Sequence, residues 1–206
     1  MSGSSTREKL LYAALDLFSE KGYEATTVDE IAESIGIKGP NIYKYFKGKE
    51  DLYNQLAKLG EDVYKNGMKL DTDPAEYIHN GDQLKQFSIE LVIFTMNNDA
   101  IHKFRKLQTI DQFRNRRLSE KATTHQYDTI NGLFTPIMAN LIKLGKIEPC
   151  DPECIALMFT APISLMIQLY DREPERKNGI MMDVVNHIDF FIKTFVRSDF
   201  PAEFDT

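Results

Sequence analysis

Between Thr27 and Phe46 two short helical patterns are separated by a single glycine, and that spacing constrains the chain more than any other feature. Thr27-Val-Asp-Glu30 has the form of a capping box, in which the threonine hydroxyl bonds the Glu30 amide and the Glu30 carboxylate reaches back. Val28, Ile31, Ala32 and Ile35 follow at the spacing of one helical face, which predicts a helix of about two turns. Gly36 ends it, where a tight turn needs positive φ. Pro40 has no amide hydrogen to lose and suits the first turn of a further short helix carrying Asn41 to Phe46. Two short helices joined through a glycine make a helix-turn-helix, whose second helix fits the major groove of a duplex.

The side chains suit that task. Thr27 lies at a helix N-terminus, where a hydroxyl, free amides and the positive end of the dipole attract a phosphate. Lys38 stands at the mouth of the third helix, within reach of a phosphate or a guanine edge. Asn41 suits adenine or a backbone oxygen, and Lys44 is the leading candidate for reading a base. Tyr43 and Tyr45 offer hydroxyls to phosphate and ring faces to a thymine methyl, while Lys47 and Lys49 read as phosphate clamps. Phosphate contacts set register without reading sequence, which leaves Lys38, Asn41, Tyr43 and Lys44 as the specifiers. Any three-helix bundle has caps and surface lysines, and four lysines in a short run also fit a solvated face. The combination of amide, aromatic and cation on one short element favours nucleic acid. Ile42 and Phe46 read as core.

The net charge of −6 does not oppose this. Residues 34–49 carry Lys38, Lys44, Lys47 and Lys49 and no acid, and a phosphate backbone feels charge over a Debye length of roughly 8 Å. Helical periodicity dominates the remainder, with no convincing alternating strand, so the fold class is all-α. A first helix over Ser5–Lys21 is stopped by Gly22, and a connecting helix spans 48–66. The polar segment Gly67–Gly81 marks the joint between a head (1–50) and a body (67–206). Helices are predicted at about 82–97, 99–113, 117–144, 152–171 and 180–197, with Pro136 and Pro162 inside two of them.

The run Thr27–Leu52, with its lead-in Ala14-Leu-Asp-Leu-Phe-Ser-Glu-Lys-Gly-Tyr-Glu-Ala-Thr-Thr27, closely resembles the signature of the tetracycline-repressor (TetR) family. The resemblance covers about residues 5–60; beyond them the likeness is one of helix pattern and length. It implies a homodimer that represses transcription and releases DNA when a small molecule enters the C-terminal domain. The family's usual DNA contacts fall on Thr27, Lys38, Asn41, Tyr43, Tyr45 and Lys49. Two departures are visible: Lys38 stands where a Ser or Thr cap is usual, and Gly48 replaces a Ser. Each suggests loss of a hydroxyl cap, about 0.5–1 kcal/mol at Lys38 and less at Gly48.

The resemblance places an effector pocket in the body, with Phe94, Phe104, Tyr127, Phe134 and Met158 as candidate lining and an apolar or amphipathic molecule as ligand. These residue types at helical spacing equally fit plain core. In this family the last two long helices form a four-helix dimer face, and two recognition helices then meet half-sites about 34 Å apart. The segment Lys103–Lys121 holds seven Lys/Arg against Asp111 and Glu120, which fits a solvated face or an anion site at Arg105 or Arg114. Cys150 and Cys154, with His125 or His187, make a weak metal pattern, and no metal or cofactor is expected. With no phosphate-binding glycine loop or nucleophile motif, no enzyme is expected. Cys154–Tyr170 falls short of the ~20 apolar residues of a spanning helix and reads as a buried helix. The polar N-terminus and two cysteines fit a cytoplasmic protein without membrane attachment.

Overall fold

The computed structural model describes residues 5–113 and 116–197, and every regular element among them is helical. α1 (Thr6–Lys21) opens on a Ser5–Glu8 capping box and closes at Gly22, whose φ of 86° lets its N–H reach the Phe18 carbonyl. α2 (Val28–Ser34) has the Thr27–Glu30 box read from the sequence. Gly36 turns the chain at φ 77°, a conformation that adds roughly 1–2 kcal/mol for a residue with a Cβ. The next element, Gly39–Lys44, is a six-residue 3₁₀ helix with Pro40 in its first turn, tighter than the helix expected over Asn41–Phe46 and ending two residues earlier. α3 (Lys49–Gly67) follows.

The chain forms two compact units that do not follow chain order. The first joins residues up to Gly67 with Asn97–Ala122, so α5 (Asp99–Asp111) packs against α1 and α3 of the head. Its inward face explains this. Phe104 and Leu107 enter the core built by Leu10, Phe18, Ile31, Ile42, Phe46 and Leu56, and Ile101, Gln108 and Asp111 of the same helix are buried as well. Each large side chain so buried contributes about 1.5–3 kcal/mol.

The second unit runs from Met68 to Met96 and from Thr123 onward. It contains α4 (Gly81–Asn97), α7 (Ile130–Lys143), α8 (Pro152–Arg172) and α9 (Lys177–Phe195). Asn140 pins the short Pro74–Glu76 turn by donating to the carbonyls of Ala75 (2.9 Å) and Ile78 (3.1 Å). A ladder of rings fills the core: Phe87–Phe134 at 6.0 Å, Phe134–Phe159 at 5.3 Å and Phe159–Phe191 at 4.7 Å between centroids. The helix expected over 117–144 is three segments: α6 (Arg116–Thr123), a π-helical stretch over Thr124–Thr129, and α7. In the wide stretch the Thr129 hydroxyl donates to the Thr124 carbonyl at 3.3 Å, a polar local bond that competes with the regular ladder. Pro136 and Pro162 lie inside α7 and α8, freeing the carbonyls four residues earlier from the helical pattern.

One expectation needs correction. The apolar helix over 154–170 is only partly buried within the chain: α8 is long and apolar enough by composition to cross a membrane, yet only one face of it, with Ile155, Ala156, Phe159 and Ile163, enters the core. Its outward residues include Met158 and Leu165, 49% and 55% exposed. Apolar periodicity reports that a face avoids water, not which molecule covers it.

Candidate nucleic-acid interface

Three elements set the geometry of the head. The Thr27 hydroxyl accepts the Glu30 N–H (3.1 Å), and the Thr27 N–H donates to Glu30 Oε2 (2.9 Å). That backbone bond first, then the Lys21 ammonium at 3.0 Å, holds the Glu30 carboxyl below the ordinary range. A fixed start to α2 fixes the glycine turn behind it. There the N–H groups of Gly36 and Ile37 bond the carbonyls of Glu33 (2.9 Å) and Ala32 (3.1 Å).

Over the short 3₁₀ element and the residues flanking it, inward and outward side chains divide. Ile42 and Phe46 are buried at 0% and 2%, and the Arg7 guanidinium lies 5.2 Å from the Phe46 ring centroid. Tyr43 and Tyr45 point outward, 61% and 40% exposed, beside the exposed Lys38, Lys44 and Lys47; Asn41 is part-buried. Lys38 makes no side-chain cap, in line with the departure noted in the sequence. Gly39 is buried under the Asp29 carboxylate, which any Cβ at that position would overlap. Gly48 has φ 152°, a conformation unfavourable to side-chain-bearing residues, so the glycine found in place of a serine matches its backbone.

Lys49 stands apart from the other lysines. Its ammonium donates to the carbonyls of Thr26 (3.0 Å) and Glu24 (3.3 Å) and lies 4.4 Å from the centroid of the Tyr23 ring. Sequence reasoning missed Tyr23 and Asp111, which belong to the same node. Asp111, wholly buried, accepts the Tyr23 N–H at 2.7 Å. Its signal was an acid falling in helical register with the apolar positions 104 and 107 of α5.

The candidate effector residues are dispersed. Phe104 lies in the core of the first unit, and Phe134 in the ring ladder of the second. Phe94 is part-buried on α4, while Tyr127 and Met158 are each 49% exposed. Of the basic segment, Lys103 bridges Asp16 (2.7 Å) and Asp99 (2.6 Å), and Arg116 pairs with Glu120. Arg114 and the His125 side chain lie outside the described residues. Cys150 and Cys154 are exposed and unbridged, and His187 Nε2 lies 2.9 Å from the Phe159 carbonyl.

A short element with an apolar floor and an outer face of tyrosine, amide and lysine, hinged on glycine behind a capped helix, has the geometry of a helix-turn-helix head. Residues 10–56 match the family model of bacterial regulatory proteins, tetR family, so the head of the chain is similar to that family. It is 36% identical over 86 residues to IcaR of Staphylococcus aureus, the negative transcriptional regulator of the biofilm operon icaADBC. That match spans 42% of this chain and 45% of the relative, so less than half the length of this curated relative is covered. Among solved structures, SmeT, the repressor of the Stenotrophomonas maltophilia multidrug efflux pump SmeDEF, is similar with a TM-score of 0.71 at 22% identity, over 95% of this chain and 92% of that one. SmeT in complex with triclosan gives 0.76 at 20% identity, covering 96% and 95%. Bacillus subtilis FadR in complex with stearoyl-CoA gives 0.61 at 17% identity, covering 89% and 96%. These likenesses are of fold.

Proposed function

We propose that the chain is a homodimeric transcriptional repressor that binds a palindromic operator and releases it when a small apolar or amphipathic molecule enters the body. The observation that carries the DNA-binding part is the division of the 3₁₀ element and the two residues after it, with Ile42 and Phe46 inward and Tyr43, Lys44 and Tyr45 outward. Lys38, Asn41, Tyr43 and Lys44 read bases, while Tyr45, Lys47 and the Thr27 helix end meet phosphate. Lys49 contributes through the turn it holds. Repression follows the S. aureus relative, a negative regulator.

Support for the dimer comes from α8. Cys154, Met158, Ala161, Leu165, Gln168 and Arg172 are all exposed, at alternating steps of four and three that form one helical seam. Met182 and Phe190 on α9 are 66% and 65% exposed. Four large apolar side chains left in water on two neighbouring helices favour a second copy as their cover. For the effector, the related folds were solved with triclosan, which is largely apolar, and with stearoyl-CoA, an amphipathic molecule with a long acyl chain. We place the ligand in the second unit, with Phe134 and part-buried Phe94 as first candidates for its lining. The protein works in the cytoplasm, as a regulator without catalysis of its own.

Selection of random duplexes on the purified protein tests this. The expected product is an inverted repeat whose halves are centred about 34 Å apart. Recovery of no preferred sequence, or of one unrepeated half-site, would refute the proposal.

A further inference from the structure

The turn between α1 and α2, Gly22 to Thr26, is held from two sides by side chains of other elements. Asp111, at the end of α5, accepts the Tyr23 N–H through Oδ2 at 2.7 Å, across 88 residues of sequence. Lys49, at the start of α3, donates to the Thr26 and Glu24 carbonyls at 3.0 and 3.3 Å and covers the Tyr23 ring at 4.4 Å. The Thr26 hydroxyl closes the turn from within, donating to the Gly22 carbonyl at 2.9 Å. The next residue is Thr27, the cap of α2, and α2 leads through Gly36 into the recognition element.

Stability alone does not call for a carboxylate at position 111. Asp111 is 0% exposed, and a buried charge carries a desolvation penalty that a leucine or methionine there would avoid. What the carboxylate supplies, and a hydrocarbon does not, is a fixed acceptor for one backbone amide in an irregular turn. Lys49 supplies the matching donor for the Thr26 and Glu24 carbonyls, 23 and 25 residues earlier in the chain. Together they set the direction in which the chain enters α2.

We infer that Asp111 is a positioning residue for DNA binding: with Lys49 opposite, it fixes the α1–α2 turn so that Thr27 and the recognition element are presented in one orientation. This rests on the DNA-binding reading of the head. It assigns Asp111, far outside the helix-turn-helix in sequence, to the binding machinery, and it turns Lys49 from a phosphate contact into an internal brace.

The test uses the full chain and the inverted repeat recovered by selection, with variants Asp111→Ala, Asp111→Asn and Lys49→Met. Amide exchange at Tyr23 in the free protein is followed in parallel with operator affinity and thermal unfolding. Asp111→Ala is expected to weaken operator binding about tenfold or more and to speed exchange at Tyr23. Asp111→Asn keeps a carbonyl acceptor of the same shape and is expected to restore both. Lys49→Met is expected to weaken binding while leaving its salt dependence unchanged, because no phosphate partner is lost. Unchanged Tyr23 exchange in Asp111→Ala would overturn the inference. So would an Asp111→Asn protein as impaired as the alanine variant with its unfolding temperature lowered in step, or a Lys49→Met protein whose salt slope falls by about one charge. Failure of the wild-type chain to select any duplex sinks the DNA-binding reading itself, and is told apart because it appears before any substitution is made.

Discussion

Tyr53 shows how tightly the head is sealed around its polar node. Its ring meets Tyr23 edge-on, 5.3 Å between centroids at 85°, and the residue is 2% exposed. Burial first, then the charge of Asp111 and the neighbouring Tyr23, pushes its phenol up to about 12. The unfolded chain releases this proton near pH 10, whereas the folded chain keeps it to about 12. Between those values the unfolded state binds fewer protons, so stability falls as pH rises, by up to about 1.4 kcal/mol per pH unit. Urea midpoints measured across this alkaline window should therefore drop less steeply in Tyr53→Phe than in the wild type. Equal slopes would show that the phenol is not held neutral by its surroundings. At this scale the sequence was legible where chemistry is local. The Thr27–Glu30 box and the Gly36 turn were read directly, because their partners are five residues away or less. The Asp111–Tyr23 bond was not, since nothing in either segment names a partner so distant in the chain.

At the scale of elements, helix existence was plain and helix character was not. Apolar spacing placed α1 to α5, α8 and α9 to within a few residues. It did not distinguish a 3₁₀ turn from an α-helix over 39–44, where six residues hold too few hydrogen bonds to decide the pitch. It also joined α6 and α7 across the π-helical stretch, whose pattern differs from a continuous helix by a small local widening. The 3₁₀ form spreads the outward side chains differently from an α-helix, yet Lys44 and Lys47 both remain exposed. Their roles should separate. Lys44→Ala is expected to relax sequence preference, with the loss confined to the selected operator. Lys47→Ala is expected to weaken matched and scrambled duplexes alike and to lower the salt slope by about one charge. Parallel losses on both duplexes for both variants, measured by titration at several salt concentrations, would contradict that division.

On the scale of the whole molecule, the outer seam of α8 carries the strongest expectation. Leu165 is 55% exposed in the single chain, so Leu165→Glu should leave the fold of each copy intact. It should convert a dimer into a monomer in light scattering at micromolar concentration, and binding to the full inverted repeat should fall with it. A variant that stays dimeric would remove α8 from the interface. The seam was visible in the sequence as an apolar helix, but one chain's sequence cannot say whether its own core or a second copy covers it. The body's candidate pocket residues were less legible still: Phe104, grouped with them by residue type, belongs to the other unit's core.

The composition of that first unit also fixes an order of events during synthesis. Phe104, Leu107 and Asp111 complete a core otherwise made from the first 56 residues. A nascent chain that has released only the helix-turn-helix therefore has an open flank and a Tyr23 amide without its acceptor. The head is finished only after more than half of the polypeptide has left the ribosome, so on the proposed function competence to occupy an operator arrives late in translation.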